Sequence, residues 1–326
     1  MLPALDDLLA TARVVSLPLV TRFRGIEQRE ALLMAGPNGW TEFSPFTEYA
    51  DEEAAAWLAA AIDFGWGSTP TLLRDSVPVN ATLPSVAAHE VAAVLERFAG
   101  CRTVKVKVAE PAQVLADDVA RVAAAREFLG PEGRIRIDAN AAWTVDEAER
   151  AIHALAGYDL EYVEQPCASI EELAELRGRT GYMDIPIAAD ESVRKAEDPL
   201  AVARAGAADL LVIKAQPLGG IGASLRIIGD AGLPAVVSSA LETSVGLSMG
   251  LHLAAAMTEL PYDCGLATAS LLVGDVTEEP LVAIDGRIEV RRVVPSSVLL
   301  DTYAASRDRE RWWLARLERS YAELAR

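Results

Sequence analysis

Short β-branched or apolar runs alternate with helical stretches through the middle of the chain. The runs are 77–83 (VPVNATL), 103–108 (TVKVKV), 134–140 (RIRIDAN), 160–166 (LEYVEQP), 185–191 (IPIAADE), 209–215 (DLLVIKA), 234–240 (PAVVSSA) and 263–268 (DCGLAT). Their starts fall roughly 23 to 31 residues apart, the length of one βα unit. Several are almost continuously apolar, as expected of parallel strands covered on both faces. Between them, 112–129 places Leu115, Val119, Val122 and Leu129 on one side at helical spacing. Thr144 with Glu147, and Ser169 with Glu172, fit the capping box at a helix start. The alternation predicts an α/β fold, a TIM-type (β/α) barrel over 77–280. A doubly wound open sheet is the alternative, and the short, Gly-containing run 263–268 is the weakest strand.

The ends depart from the repeat. Runs 13–20 and 30–35 read as antiparallel strands, GWTEFSPF (39–46) as a strand with a turn, and 51–64 as a helix. Near the other end, Asp285-Gly286 between two apolar runs predicts a hairpin over 281–290. Segment 307–325 is amphipathic and helical. The prediction is an α+β capping domain built from 1–76 and the tail 281–326, folded back around the barrel.

Composition narrows the partners. The chain has 326 residues, enough to bury roughly three quarters of its unfolded surface. Its formal charge is −18, which repels phosphate backbones and anionic membranes, so neither nucleic acid nor a membrane is expected as a partner. No apolar run approaches a membrane span. Cys101, Cys167 and Cys264 lie far apart, which fits a reducing compartment. The start MLPALDDLLATARVV carries Asp6 and Asp7 where a signal peptide needs Lys or Arg. The expectation is a cytoplasmic protein whose oligomeric state the sequence does not give. With only His89, His153 and His252 available, a metal is expected on oxygen ligands.

Chemistry in such a barrel collects at the C-terminal ends of strands. Charged residues interrupt the apolar runs there: Lys105 and Lys107, Asp138 with Asn140, Glu164, Asp190 with Glu191, and Lys214. Positions two apart share a strand face, so Lys105 and Lys107 point the same way. Burying so many charges is expensive unless they satisfy each other or a metal. Asp138, Glu164 and Asp190, from three successive strands, make an oxygen cluster suited to Mg²⁺, with Mn²⁺ as a substitute. Crowding between the lysines predicts a lowered lysine pKa, which makes a neutral amine available as a base. The reaction implied is proton removal from a carbon beside a metal-held carboxylate on a small-molecule substrate.

These motifs (GWTEFSPF, KVKV, RIDANAAW, VEQP, ADES, VIK and SSALETSVGL) make the chain resemble the enolase superfamily, in its muconate-lactonizing subgroup, and most of all the o-succinylbenzoate synthases. The resemblance runs over nearly the whole chain. It implies Lys107 as acid/base, Asp138, Glu164 and Asp190 as Mg²⁺ ligands, and Lys214 as the cation on the opposite face. Lys105, Asn140 and Glu191 become supporting residues, and Ser238 and Ser239 approach the substrate carboxylates. The implied reaction is dehydration of 2-succinyl-6-hydroxy-2,4-cyclohexadiene-1-carboxylate to 2-succinylbenzoate in menaquinone biosynthesis, a carbon–oxygen lyase step. An early loop, about 16–26, is expected to close the pocket, with Arg22 or Arg24 meeting the succinyl carboxylate. The chain departs from the pattern in being short for the superfamily and in carrying Ala141 where relatives often have Gly.

Rival readings remain at this level. An N-acylamino acid racemase or dipeptide epimerase uses the same two lysines, and a muconate cycloisomerase the same frame. A non-catalytic barrel scaffold is the reading from a different class. Gly246-Leu-Ser248-Met-Gly250 fits the G-x-S-x-G of hydrolases, but it continues into a helical run. Leu218-Gly-Gly-Ile-Gly222 lacks the full phosphate-loop spacing.

Overall fold

The computed structural model describes residues 2–195 and 198–326. A short helix, α1 (Leu5–Leu9), leads into three antiparallel strands, β1 (Arg13–Phe23), β2 (Ile26–Gly36) and β3 (Gly39–Phe43), followed by α2 (Asp51–Trp66). The predicted early loop is not a loop. β1 runs on to Phe23 and turns tightly at Arg24-Gly25, both at positive φ (50° and 77°), with its register irregular between Pro18 and Phe23. Two consecutive left-handed residues match the twist of a two-residue hairpin, so a hairpin tip stands where a loop was expected.

The run 77–83 is two strands. β4 (Ser76–Pro78) pairs antiparallel with a late strand, and β5 (Ala81–Leu83) opens the barrel. Then follow α3 (Val91–Leu95), β6 (Thr103–Lys107), α4 (Leu115–Leu129), β7 (Arg134–Asp138), α5 (Val145–Leu155), β8 (Leu160–Glu164), α6 (Ile170–Thr180) and β9 (Ile187–Ala189). Short α7 (Glu191–Arg194) and α8 (Ala201–Arg204) precede β10 (Leu210–Ile213), α9 (Ile221–Ala231), β11 (Ala235–Val237) and α10 (Ser244–Ala256). Strands β5 to β11 form one parallel sheet in sequential order, each neighbour hydrogen-bonded to the next. That order belongs to a barrel and excludes the doubly wound alternative, in which the strand order reverses. The eighth strand is reduced to two bridges: Cys264 pairs with Val79 and Gly265 with Ser238, joining the two edges of the sheet.

Both capping boxes form, at Thr144 for α5 and Ser169 for α6. Three members of the expected α4 stripe, Val119, Val122 and Leu129, pack against the core, and the fourth does not. Leu115 is exposed, while Asp118 and Arg121 are buried with Val122 and Ala125. Specific bonds to the barrel rim add two buried charged residues beside the apolar stripe. The expected turn at Asp285-Gly286 forms and closes a minimal hairpin, Ile284 bridging Arg287, while β12 (Arg287–Glu289) takes β4 as its main partner. After α11 (Ser297–Thr302), α12 (Arg307–Leu324) lies on α2 and β1. Trp313, fully buried, meets Phe43 edge-on at 5.9 Å and donates through Nε1 to Glu30 (2.9 Å). An aromatic of this size contributes a few kcal/mol of burial, roughly, only if its N–H is satisfied, and here it is.

Candidate active site

Strand pairing sets the site. Lys107, Asp138 and Glu164 are Cα partners across β6, β7 and β8, and Lys105 stands one interior layer below. Val106 and Val108 are buried against the helices, which turns both lysines inward. Arg136, the Cα partner of Lys105 on β7, is fully buried and paired with Glu161, and its guanidinium lies 4.8 Å from the Tyr162 ring centre. Strain gathers at this rim. Ala109, Asn140, Ala141, Gln165 and Leu241 follow barrel strands and all have positive φ. Backbone of this kind persists where its surroundings over-determine it, as at functional sites. Ala141, at φ 64°, holds a conformation that glycine adopts at less cost.

The charges pair closely. Lys107 Nζ donates to Asp138 Oδ2 (2.5 Å) and Asn140 Oδ1 (2.6 Å). Lys105 Nζ bridges Glu164 Oε1 (2.8 Å) and Asp138 Oδ2 (3.2 Å). Lys214 Nζ donates to Asp190 Oδ2 (2.5 Å). Glu191 Oε1 accepts from Asn140 Nδ2 (3.2 Å). The lysines therefore do not share one fate. Burial, helped by Lys105, outweighs Asp138 and lowers the Lys107 pKa. For Lys105 burial is overcome by Glu164 and Asp138, which raise it, so the expected crowding effect applies to Lys107 alone. Burial and the Asp138 charge push Glu164 up to about 7, while Asp138, despite its own burial, is held well below its usual range by Lys107 and Lys105. Asp190, also opposed by burial, is lowered by Arg194 and Lys214.

Three of the strand-borne residues are carboxylates, the hard oxygen donors a Mg²⁺ ion takes. Glu164 Oε2 is buried without a protein partner. An orphaned anionic oxygen in this position fits a cation. Among the described residues, however, no group of three or more His, Cys, Asp or Glu stands at metal-binding geometry. The lysine ammoniums are drawn in among the carboxylates and hold them in pairs. The donor set thus fits the ion, while its convergence is not preformed.

Ser238 and Ser239 line the same cavity as Lys107 and Lys214, together with Phe23, Phe46 and Arg24 of the cap. Ser239 Oγ is already used, donating to Gly265 O (2.7 Å). Arg24 lies over Phe46 at 4.2 Å from the ring centre, its Nη2 3.4 Å from Tyr49 Oη. A cleft of about 620 Å³ opens outward between the β1–β2 tip and the barrel rim, with Arg22, Arg24 and Lys107 on its walls.

Sequence reasoning missed three supports. Arg194, nearly fully buried, donates to Asp190 Oδ1 (3.0 Å), Glu191 Oε1 (2.7 Å) and Tyr49 Oη (3.1 Å). Its signal was present, because Asp190 and Arg194 stand four apart. Gln165 Oε1 accepts from the amides of Asp190 (2.9 Å) and Ser192 (3.1 Å), which fixes the turn after β9. Arg121 Nη1 donates to Lys107 O (2.9 Å) and so anchors the end of β6; nothing in its helical stripe marked it. The hydrolase and phosphate readings fail on geometry. Ser248 lies inside α10 and donates to Arg291 O (2.7 Å), and the amides of Ile221 and Gly222 face the Asp63 carboxylate of the cap.

Comparison with known proteins agrees with this frame. The family "Enolase N-terminal domain-like" matches residues 14–65 and "Enolase C-terminal domain-like" matches 87–295. A protein of Mycolicibacterium smegmatis named o-succinylbenzoate synthase is 54% identical over 97% of this chain and 96% of its own. One of the same name from Thermobifida fusca is 56% identical over 87% of this chain and 88% of its own. The solved muconate lactonizing enzyme of Pseudomonas fluorescens superposes with a TM-score of 0.76 at 22% identity, covering 90% of this chain and 98% of that one. The L-Ala-D/L-Glu epimerase of Bacillus subtilis gives 0.73 at 24%, covering 86% and 95%. The two solved structures speak for the fold alone. Family profiles over both parts of the chain, and relatives of more than half identity along nearly all of it, show that the chain belongs to the enolase superfamily and, within it, to the o-succinylbenzoate synthase family.

Proposed function

We propose that the protein is an o-succinylbenzoate synthase, a hydro-lyase converting 2-succinyl-6-hydroxy-2,4-cyclohexadiene-1-carboxylate to 2-succinylbenzoate. The observation that carries the reading is the row Lys107–Asp138–Glu164, with Asp190 and Lys214 beside it, at the open end of the barrel. Lys107, with its lowered pKa, takes the proton from the ring carbon that bears the carboxylate. The electron pair moves into that carboxylate, giving an enediolate. Lys214, a cation held by Asp190, lies along the same cavity and stabilises the added negative charge. The ring carbon–oxygen bond then breaks, and the ammonium of Lys107 returns its proton to the departing hydroxide. Water leaves and the ring becomes aromatic, which drives the step.

Asp138, Glu164 and Asp190 would hold Mg²⁺, with Mn²⁺ as a substitute, and the ion would supply fixed positive charge beside the substrate carboxylate. Lys105, Asn140 and Glu191 keep the carboxylates and Lys107 in register. Ser238 and Ser239 offer polar contact to the ring carboxylate, and Arg24 at the cap tip to the succinyl carboxylate. Residues 1–76 with 281–326 serve as the cap and 77–280 as the barrel. Within that tail, residues 281–296 run along the barrel on their way to the cap, Leu281 N donating to Ser244 Oγ (2.7 Å) and β12 pairing with β4.

The epimerase reading predicts exchange of an α-proton and no loss of water. Purified protein given the cyclohexadiene acid, and separately N-succinylamino acids in D₂O, distinguishes the two. Aromatic product from the first, with slow or no deuterium uptake in the second, supports the synthase. Rapid deuterium uptake with no aromatic product would replace it by the epimerase.

A further inference from the structure

The segment from Ser238 to Thr243 joins β11 to α10, and Ser238, Ser239, Ala240 and Leu241 line the cavity of Lys107 and Lys214. Leu241 has φ 65°, a left-handed conformation uncommon for a non-glycine residue, which persists where its surroundings hold it. The hold comes from buried charged side chains, two of them in the cap. Arg29 on β2 donates through Nε to Leu241 O (3.0 Å) and through Nη2 to Ala240 O (3.3 Å). The same Nη2 donates to the cap at Ser44 O, and the guanidinium lies 4.5 Å from the Phe46 ring centre. On the barrel side, Glu242 Oε2 accepts from Ala240 N (2.7 Å). Glu42 on β3 reaches across with Oε2, accepting from Thr243 N (3.1 Å), Thr243 Oγ1 (2.5 Å) and Gly246 N (3.1 Å). A cap carboxylate thus closes the open amide end of a barrel helix. Arg29 and Glu42 are both almost wholly buried, and neither touches the reacting centre.

We infer that Arg29 and Glu42 are positioning residues for catalysis, because they impose from the cap the strained Ser238–Leu241 backbone against which the substrate carboxylate binds. The inference rests on the site assignment proposed above. It gives the cap a second task beside covering the pocket: the barrel wall at β11 takes its working shape only with β2 and β3 docked.

Both side chains are buried and linked through Ser44 Oγ, so removing either outright would leave buried polar groups unpartnered, and conservative variants carry the test. Arg29→Lys keeps the charge and loses the planar fork that spans two carbonyls. Glu42→Gln keeps the shape and one acceptor oxygen. Steady-state kinetics on the cyclohexadiene acid at saturating Mg²⁺ should show KM raised at least tenfold in Arg29→Lys, and about threefold in Glu42→Gln, with kcat within threefold of wild type. Amide hydrogen exchange should quicken over 238–246 in both variants and stay unchanged in α4 and α5. A KM within experimental error of wild type in whichever variant folds would overturn the inference, as would a fall confined to kcat. Wild-type protein without turnover would count against the synthase reading; exchange over 238–246 would still decide the clamp, unchanged protection overturning it.

Discussion

Lys105 and Lys107 stand two residues apart on one face, yet their basicities move in opposite directions. Lys105 lies between two carboxylates, and Lys107 is buried with its partner Asp138 shared. The lowered basicity of Lys107 supports the proposed role of base for it. Abstraction needs its neutral form, so kcat/KM should rise with pH and level off below the ordinary lysine value of about 10.4, as a pH–rate profile would show. Glu42 supplies a second pH effect at this scale. Burial, reinforced by Glu242, pushes its pKa up to about 7. Between the ordinary glutamate value and 7 the unfolded chain has lost a proton that the folded chain keeps. Stability therefore falls as pH rises through that window, by up to about 3 kcal/mol from this group. Urea midpoints at pH 5 and pH 7.5 should lie closer together in Glu42→Gln than in wild type.

At the scale of elements, sequence periodicity carried most of the barrel because parallel strands buried on both faces leave a plain apolar signature. Thr144 and Ser169 were legible as helix starts because capping needs only local residues. Thr144→Ala should cost about 1 kcal/mol and lower Tm by roughly 2 °C in a thermal scan. What escaped was whatever depended on distant partners. β4 looked continuous with β5, since its true partner β12 lies some two hundred residues on. The eighth strand shrank to Cys264 and Gly265 because two bridges suffice to close the sheet. The apolar stripe of α4 was legible except at Leu115, while the burial of Asp118 and Arg121 was not, because they serve the rim: Ala109 N donates to Asp118 Oδ2 (3.1 Å) and Arg121 Nε to Val86 O (2.7 Å). The chemistry-bearing residues of the site were legible because a charge inside an apolar strand is costly to bury unless a partner or a ligand meets it. Gln165 and Arg29 were not, because their partners are set by folding, and Arg194 was marked only by its spacing of four from Asp190.

For the whole molecule, the cap and barrel act as one site. Phe23, Arg24 and Phe46 of the cap share a cavity with Lys107, Lys214 and Ser239 of the barrel. Among the described residues no helix is long and apolar enough to cross a membrane. If the carboxylates hold Mg²⁺ only in the folded chain, the ion at a hundred times its Kd should add about 2.7 kcal/mol of stability. Thermal scans with Mg²⁺ and with EDTA check this without reference to activity, and Glu164→Gln should abolish the difference. The most direct test of the central claim follows the ultraviolet change as the cyclohexadiene acid aromatises, in wild type with Mg²⁺, in wild type with EDTA, and in Lys107→Ala with Mg²⁺. The account predicts fast conversion in the first, none above background in the second, and a loss of roughly a thousandfold or more in the third. Conversion by folded Lys107→Ala at the wild-type rate, or no conversion by folded, Mg²⁺-loaded wild type, would contradict it.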